Sequence, residues 1–179
     1  MQLTELFRAK YRKDNNAYTV IASPFNDNLN HLLFKFDSGA SYTIVSLAAL
    51  IPTYSKDFSQ RDKIAKQLEN SHYIKRDLKS ASGHNMTGIL CHVTKIQIAG
   101  YFLDHFWFYL VPDYEHPKAL LGVDFIACCK FEAEIKRDII VTRFSKSHYE
   151  TSYQFKEKKK LLDIDSIDFS DFIIESKKI

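Results

Sequence analysis

The stretch that most constrains this chain is Leu32-Leu33-Phe34-Lys35-Phe36, a strand-like run of large residues that stops abruptly on Asp37-Ser38-Gly39-Ala40. A carboxylate at the end of an apolar strand is costly to hold unless it is paired or hydrogen-bonded. Gly39 allows a backbone amide to approach such a carboxylate closely, and the Ser38 hydroxyl can fasten a tight turn. A turn of this kind presents one carboxylate to a cleft. The same tripeptide also serves as an ordinary exposed turn, so the reading needs support from elsewhere in the chain.

That support lies in Ala119-Leu120-Leu121-Gly122-Val123-Asp124-Phe125-Ile126, where bulky apolar residues, one glycine and one Asp precede a short apolar run. Together the two motifs resemble those of the retropepsin-like aspartic proteases, the single-domain relatives of the retroviral proteases. In that family the Asp-[Ser/Thr]-Gly-Ala loop carries the catalytic Asp, and the Leu-Leu-Gly-x-Asp-Phe motif opens a helix packed behind it. The resemblance covers roughly residues 18–144. The five glycines agree with it: Gly39 in the catalytic loop, Gly83 and Gly88 where the family has its flap hairpin, Gly100 at a following turn, and Gly122 in the helix motif. It implies an all-β fold with minor α, a closed acid-protease barrel carrying an inserted helix and a C-terminal extension.

Composition is compatible with that barrel. A chain of 179 residues with 45% hydrophobic and 14% aromatic content is ample for one packed core. A net charge of +3 argues against a nucleic-acid surface. No apolar run is long enough to span a membrane, and residues 1–10 lack the apolar core of a signal peptide. Cys91, Cys128 and Cys129 are odd in number and partly adjacent, which does not suggest a disulfide framework. The expected compartment is the cytoplasm. His92, His105 and the cysteines show no metal-ligand spacing, and neither metal nor cofactor is expected.

In chain order, residues 1–16 read as a basic, partly helical lead-in and residues 17–146 as the barrel. Residues 17–22 form a strand leading by a turn to the Asp37 strand. Thr43-Ile44-Val45 continues as a short strand, and Ser46 caps a brief helix through Leu50. Residues 53–72 read as a capped amphipathic helix inserted on the barrel surface. Residues 73–98 read as two strands around a polar tip at 82–88. The resemblance makes this the flap that closes over substrate, although a plain surface hairpin fits the same residues. Residues 102–111 form a strongly aromatic strand, and residues 130–144 a hairpin turning at Lys136-Arg137-Asp138. A charged extension, 147–179, follows, with Asp163, Asp165, Asp168 and Asp171 set among Ile and Phe. It reads as a docking helix, a disordered segment or a pseudo-substrate, of which the peripheral helix is favoured.

The resemblance also implies a mechanism, in which two carboxylates about 3 Å apart share one proton, one activating water while the other protonates the substrate carbonyl. One Asp-Ser-Gly-Ala loop per chain then requires a homodimer, with Asp37 of each subunit meeting on a two-fold axis and Ser38 holding the loops together. Catalysis is therefore expected at Asp37, Ser38 and Gly39. Substrate, an extended peptide or protein segment bound as a β-strand, is expected against Ala40, Ile44, Gly83, Gly88, Ile89 and Leu120. Ala40 cannot donate a side-chain hydrogen bond to the carboxylate, which places activity in weak acid, about pH 5 to 6.5. Where the viral enzymes carry an ion pair near the dimer interface, this chain has Ser41 and Val123, which bears on dimer stability. The alternatives are a catalytically silent barrel of the same type, dimeric and peptide-binding, with a regulatory role, and an unrelated β-barrel in which both motifs are coincidences.

Overall fold

The computed structural model describes residues 5–12, 17–25, 29–50, 66, 73–79, 83, 85–111, 118–134, 139–152 and 162–163. The strands are β1 (Glu5–Arg12), β2 (Ala17–Pro24), β3 (Leu32–Phe36), β4 (Ile44–Ser46), β5 (Lys75–Lys79), β6 (Asn85–Ile98), β7 (Tyr101–Val111), β8 (Ala119–Leu121), β9 (Cys129–Glu134), β10 (Ile139–Phe144) and β11 (Leu162–Asp163). Three short helices punctuate them: α1 (Leu47–Leu50), α2 (Val123–Ile126) and α3 (Lys146–Ser152).

Six strands close into a barrel, in the order β6-β7-β4-β8-β3-β2, with Ala22–Pro24 of β2 returning to pair with Ile96–Ile98 of β6. Closure pairs each strand of the ring on both sides, while β1, β10 and β9 continue the sheet beyond it. β3 runs parallel to β8, and β4 parallel to β7. The remaining pairs in the ring are antiparallel. The protein is thus mostly β with few short helices, built on a closed barrel.

Alternation decides which side chains fill it. In β3, Leu32 and Phe34 are buried while Leu33 faces out. Phe34 meets Phe106 of β7 edge-to-face at 5.6 Å. Below this pair Phe125 stacks on Phe144 at 4.9 Å, and Tyr149 of α3 inserts beside both. The Trp107 amide donates to the Tyr149 hydroxyl at 3.0 Å, which satisfies the one polar atom the tyrosine brings inside. Burial of each such ring stabilises the fold by about 1.5–3 kcal/mol.

Several expectations need correction. Residues 1–16 are not a partly helical lead-in, because Glu5–Arg12 is a strand paired with both β10 and β2. Phe7, Ala9 and Tyr11 alternate with Arg8, Lys10 and Arg12, a period of two that suits a strand. The barrel core also continues beyond residue 146, since Tyr149 is 1% exposed. In the extension, Leu162–Asp163 is not helical but pairs in parallel with Cys91 and His92 of β6. The rest of 153–179 lies outside the described residues, as does the 53–72 insertion apart from Lys66, which is helical.

Other readings match the structure. Ser46 ends β4, and its Oγ accepts from the Ala49 amide at 3.3 Å to cap α1. The terminal hairpin is β9 and β10, whose turn at 135–138 is outside the described residues. Residues 73–98 hold the expected hairpin, β5 against β6, but Asn85–Gly88 belong to the strand and not to the tip.

Candidate functional site

The parallel pairing of β3 with β8 delivers Asp37 to the mouth of the barrel, where its amide extends the ladder by donating to the Leu121 carbonyl at 3.0 Å. The chain then turns sharply. The Ala40 amide donates to the Asp37 carbonyl at 3.1 Å, and the Gly39 amide donates to Asp37 Oδ1 at 2.9 Å. A Cβ on residue 39 would lie 3.2 Å from that carboxylate oxygen, so glycine at this position keeps the contact unstrained.

The downstream motif holds this turn from behind. The Val123 amide donates to the Ala40 carbonyl at 2.8 Å. Asp124 accepts from the Thr43 hydroxyl at 2.8 Å, from the Thr43 amide at 3.1 Å and from the Phe125 amide at 2.8 Å. The Thr43 oxygen in turn accepts from the Gly122 amide at 3.3 Å. Two segments far apart in the chain are thereby one hydrogen-bonded unit, and Asp124 is a structural carboxylate and not a second reacting one.

Thr43 is buried, so its loss should be felt. Thr43→Val removes the hydroxyl, so Asp124 Oδ1 loses one of its donors and the Gly122 amide loses the Thr43 oxygen as its acceptor. We expect a loss of about 1–3 kcal/mol in urea unfolding, with no change in secondary structure. An unchanged midpoint would show that the tie between the motifs contributes nothing.

Asp37 is half-buried, while Ser38 and Gly39 are exposed. The carboxylate borders an open cleft of about 1050 Å³. Its floor includes Asp37, Gly39, Ala40, Ile44 and Leu120, and the β5–β6 hairpin contributes Asp77, Lys79 and Met86. The structure therefore gathers five of the expected site residues on one surface.

The others lie elsewhere. Ser38 is exposed beside the cleft mouth and is not part of its lining. Gly83 sits near the hairpin tip with a left-handed φ of 86°, a turn role. Gly88 is buried in β6, where a Cβ would lie 2.7 Å from Leu78 and 3.0 Å from Tyr109, so it lets the hairpin settle onto β7. Ile89 is the correction: it is 0% exposed and belongs to the barrel core, not to the cleft wall. Side chains alternate across a strand, so Met86 and Ile89 take opposite faces. Met86, Tyr42 and Lys79 were missed; for Met86 the signal available was the same period of two, counted back from Gly88, while Tyr42 and Lys79 come from other segments that this count does not reach.

No protein-family model matches the chain. No curated protein matches it either. The functional reading therefore rests on the residues themselves.

The cysteines and the His92–His105 pair are placed away from the cleft. Cys91, Cys128 and Cys129 are free and wholly or partly buried. Burial, with the Asp124 charge adding to it, pushes the Cys128 thiol up to about 11, and burial raises Cys91 and Cys129 as well. All three stay protonated at neutral pH and act as packing groups, not nucleophiles. His92 and His105 approach at 2.9 Å and stack beside Trp107, remote from Asp37 in the sheet. Among the described residues no three His, Cys, Asp or Glu side chains gather as a metal site, and no helix is long and apolar enough to cross a membrane.

Proposed function

We propose that this chain is a retropepsin-like aspartic endopeptidase, cutting extended peptides with two Asp37 carboxylates, one from each subunit of a homodimer. The observation that carries the reading is the Asp37 turn. A carboxylate at the end of a barrel strand accepts the Gly39 amide at 2.9 Å, borders a large cleft, and is followed by exposed Ser38 and Gly39. Asp124, also half-buried, instead has both oxygens held by donors from within the fold. Exposure of the turn suits a two-fold contact with a second copy.

In such a dimer the two carboxylates share one proton. The ionised group takes a proton from water as the oxygen attacks the peptide carbonyl. The protonated group gives its proton to the carbonyl oxygen, and a tetrahedral diol results. Collapse of the diol breaks the C–N bond as a proton moves to the departing amine. The peptide lies extended between the cleft floor and the β5–β6 hairpin, with alternate side chains against Ile44, Leu120 and Met86.

The dimer requirement makes the reading testable. Specific activity on unfolded casein should rise with enzyme concentration until dimers dominate, and the pH profile should be bell-shaped with a maximum at about pH 5–6.5. Constant specific activity from a species that sediments as a monomer would sink the shared-carboxylate mechanism, and a maximum below about pH 3 would refute the role given to Ala40. A folded dimer that cuts nothing across this range would favour the silent peptide-binding module.

A further inference from the structure

The hairpin above the cleft is tied to the barrel through Arg76. Arg76, on β5, donates from Nε to the Tyr109 hydroxyl at 3.1 Å and from Nη1 to the Tyr42 hydroxyl at 2.6 Å. Its guanidinium also lies over the Tyr42 ring, 4.5 Å from the centroid, and 5.7 Å from that of Tyr109. The two rings meet edge-to-face at 5.2 Å. The three partners come from three separate places: the hairpin, the barrel wall at β7, and the loop that begins with Asp37.

Beneath this cluster the hairpin has a small apolar core of its own. Leu78, Leu90, Tyr109 and Val111 are buried together, with Tyr42, Ile44 and Met86 packed against them. Ile44, Tyr42 and Met86 also line the cleft. The underside of the hairpin and the cleft wall are thus one packed unit, and Arg76 closes it on the solvent side. Hydrogen bonds from a cation are stronger than neutral ones, and a planar guanidinium can make two of them while stacking on a ring, which an ammonium cannot.

We propose that Arg76 is a positioning residue that clamps the base of the β5–β6 hairpin to Tyr42 and Tyr109, and so sets the height of the cleft roof above the Asp37 loop. The consequence for substrate rests on the protease reading; the clamp itself does not. Loosening it lets the hairpin ride higher, which weakens contacts along the whole bound peptide while leaving the chemistry at Asp37 intact. Binding suffers more than turnover.

The test uses hydrogen exchange of the full chain, which needs no activity. Arg76→Met should exchange at least about tenfold faster than wild type in residues 75–79 and 85–90, with β1 and β10 unchanged. Tyr42→Phe, which keeps the ring and removes only the hydroxyl, should do the same to a smaller extent. The double variant should exchange no faster than Arg76→Met alone, because both changes break one clamp. Arg76→Lys should fall between wild type and Arg76→Met. If the protease reading also holds, Arg76→Met should raise KM about fivefold with kcat within about twofold, a split that mere loss of folded protein does not produce. Exchange within about twofold of wild type in both variants, or faster exchange spread over every strand, would overturn the clamp. Should Arg76→Met fail to fold, Tyr42→Phe decides alone. A wild type that cuts nothing sinks the protease reading and leaves the exchange result to settle the clamp.

Discussion

Asp37→Asn should abolish peptide cleavage, by about 10³-fold or more, without unfolding the protein. The amide cannot take a proton from water or hold the proton a carboxyl pair would share. It can still accept the Gly39 amide through Oδ1, as the carboxylate does at 2.9 Å, so the turn has no reason to open. In the proposed dimer the substitution also removes the negative charge that the proton-sharing pair holds at the two-fold axis, and thermal stability should stay level or rise. Casein cleavage, circular dichroism and sedimentation on the same preparation check all three points. The proposed dimer adds a sharper consequence. If wild-type and variant subunits exchange in a one-to-one mixture, only about a quarter of the dimers keep two Asp37 carboxylates, so activity should fall well below half. Activity that merely halves would mean that each subunit works alone. Residual activity within about tenfold of wild type would remove Asp37 from the mechanism altogether.

What could be read in the chain beforehand followed from local pattern. The strands at Leu32–Phe36 and Tyr101–Val111, the cap at Ser46 and the hairpin of β9 with β10 each follow from side-chain spacing over a few residues. The coupling of the Asp37 turn to Gly122 and Asp124 was expected only as what the resemblance of the two motifs implies, and the hydrogen bonds at Thr43 give it a physical form. Misreadings arose where two patterns competed or where a partner lay far away. In β1 a cluster of Arg and Lys drew the reading toward a basic, partly helical lead-in and obscured the period of two beneath it. Ile89 failed because an error of one position in a strand exchanges core for surface. Tyr149 completes the aromatic core from a helix of seven residues, too short for periodicity to announce which ring goes inside. Arg76 has partners 33 and 34 positions away, on other elements, and nothing in its neighbourhood marks it.

Gly122→Ala should destabilise the protein by about 3 kcal/mol or more, at the upper end of what overpacking a tight contact costs. The reason is contact and not backbone conformation. Gly122 has φ −89° and ψ −173°, extended values open to any residue. A Cβ built there, however, would stand 2.8 Å from the Ala40 carbonyl oxygen and closer still to the Tyr42 carbonyl. Both obstacles are backbone, which cannot rotate aside as a side-chain end can. Relief requires the 40–42 segment to withdraw from the 121–124 segment, and that movement stretches the Val123 to Ala40 hydrogen bond and the Thr43 bonds to Asp124. Gly83→Ala is the natural control: its left-handed φ of 86° strains an alanine by about 1 kcal/mol, but no atom lies within 4 Å of the added carbon. Urea unfolding of both variants separates the two mechanisms, and Gly122→Ala should lose at least twice as much as Gly83→Ala. Equal losses would mean that the two motifs sit less tightly together than the geometry requires. Because the same withdrawal displaces the turn that carries Asp37, the Gly122 variant should lose activity in the fraction that still folds, whereas the Gly83 variant should keep its Asp37 turn intact.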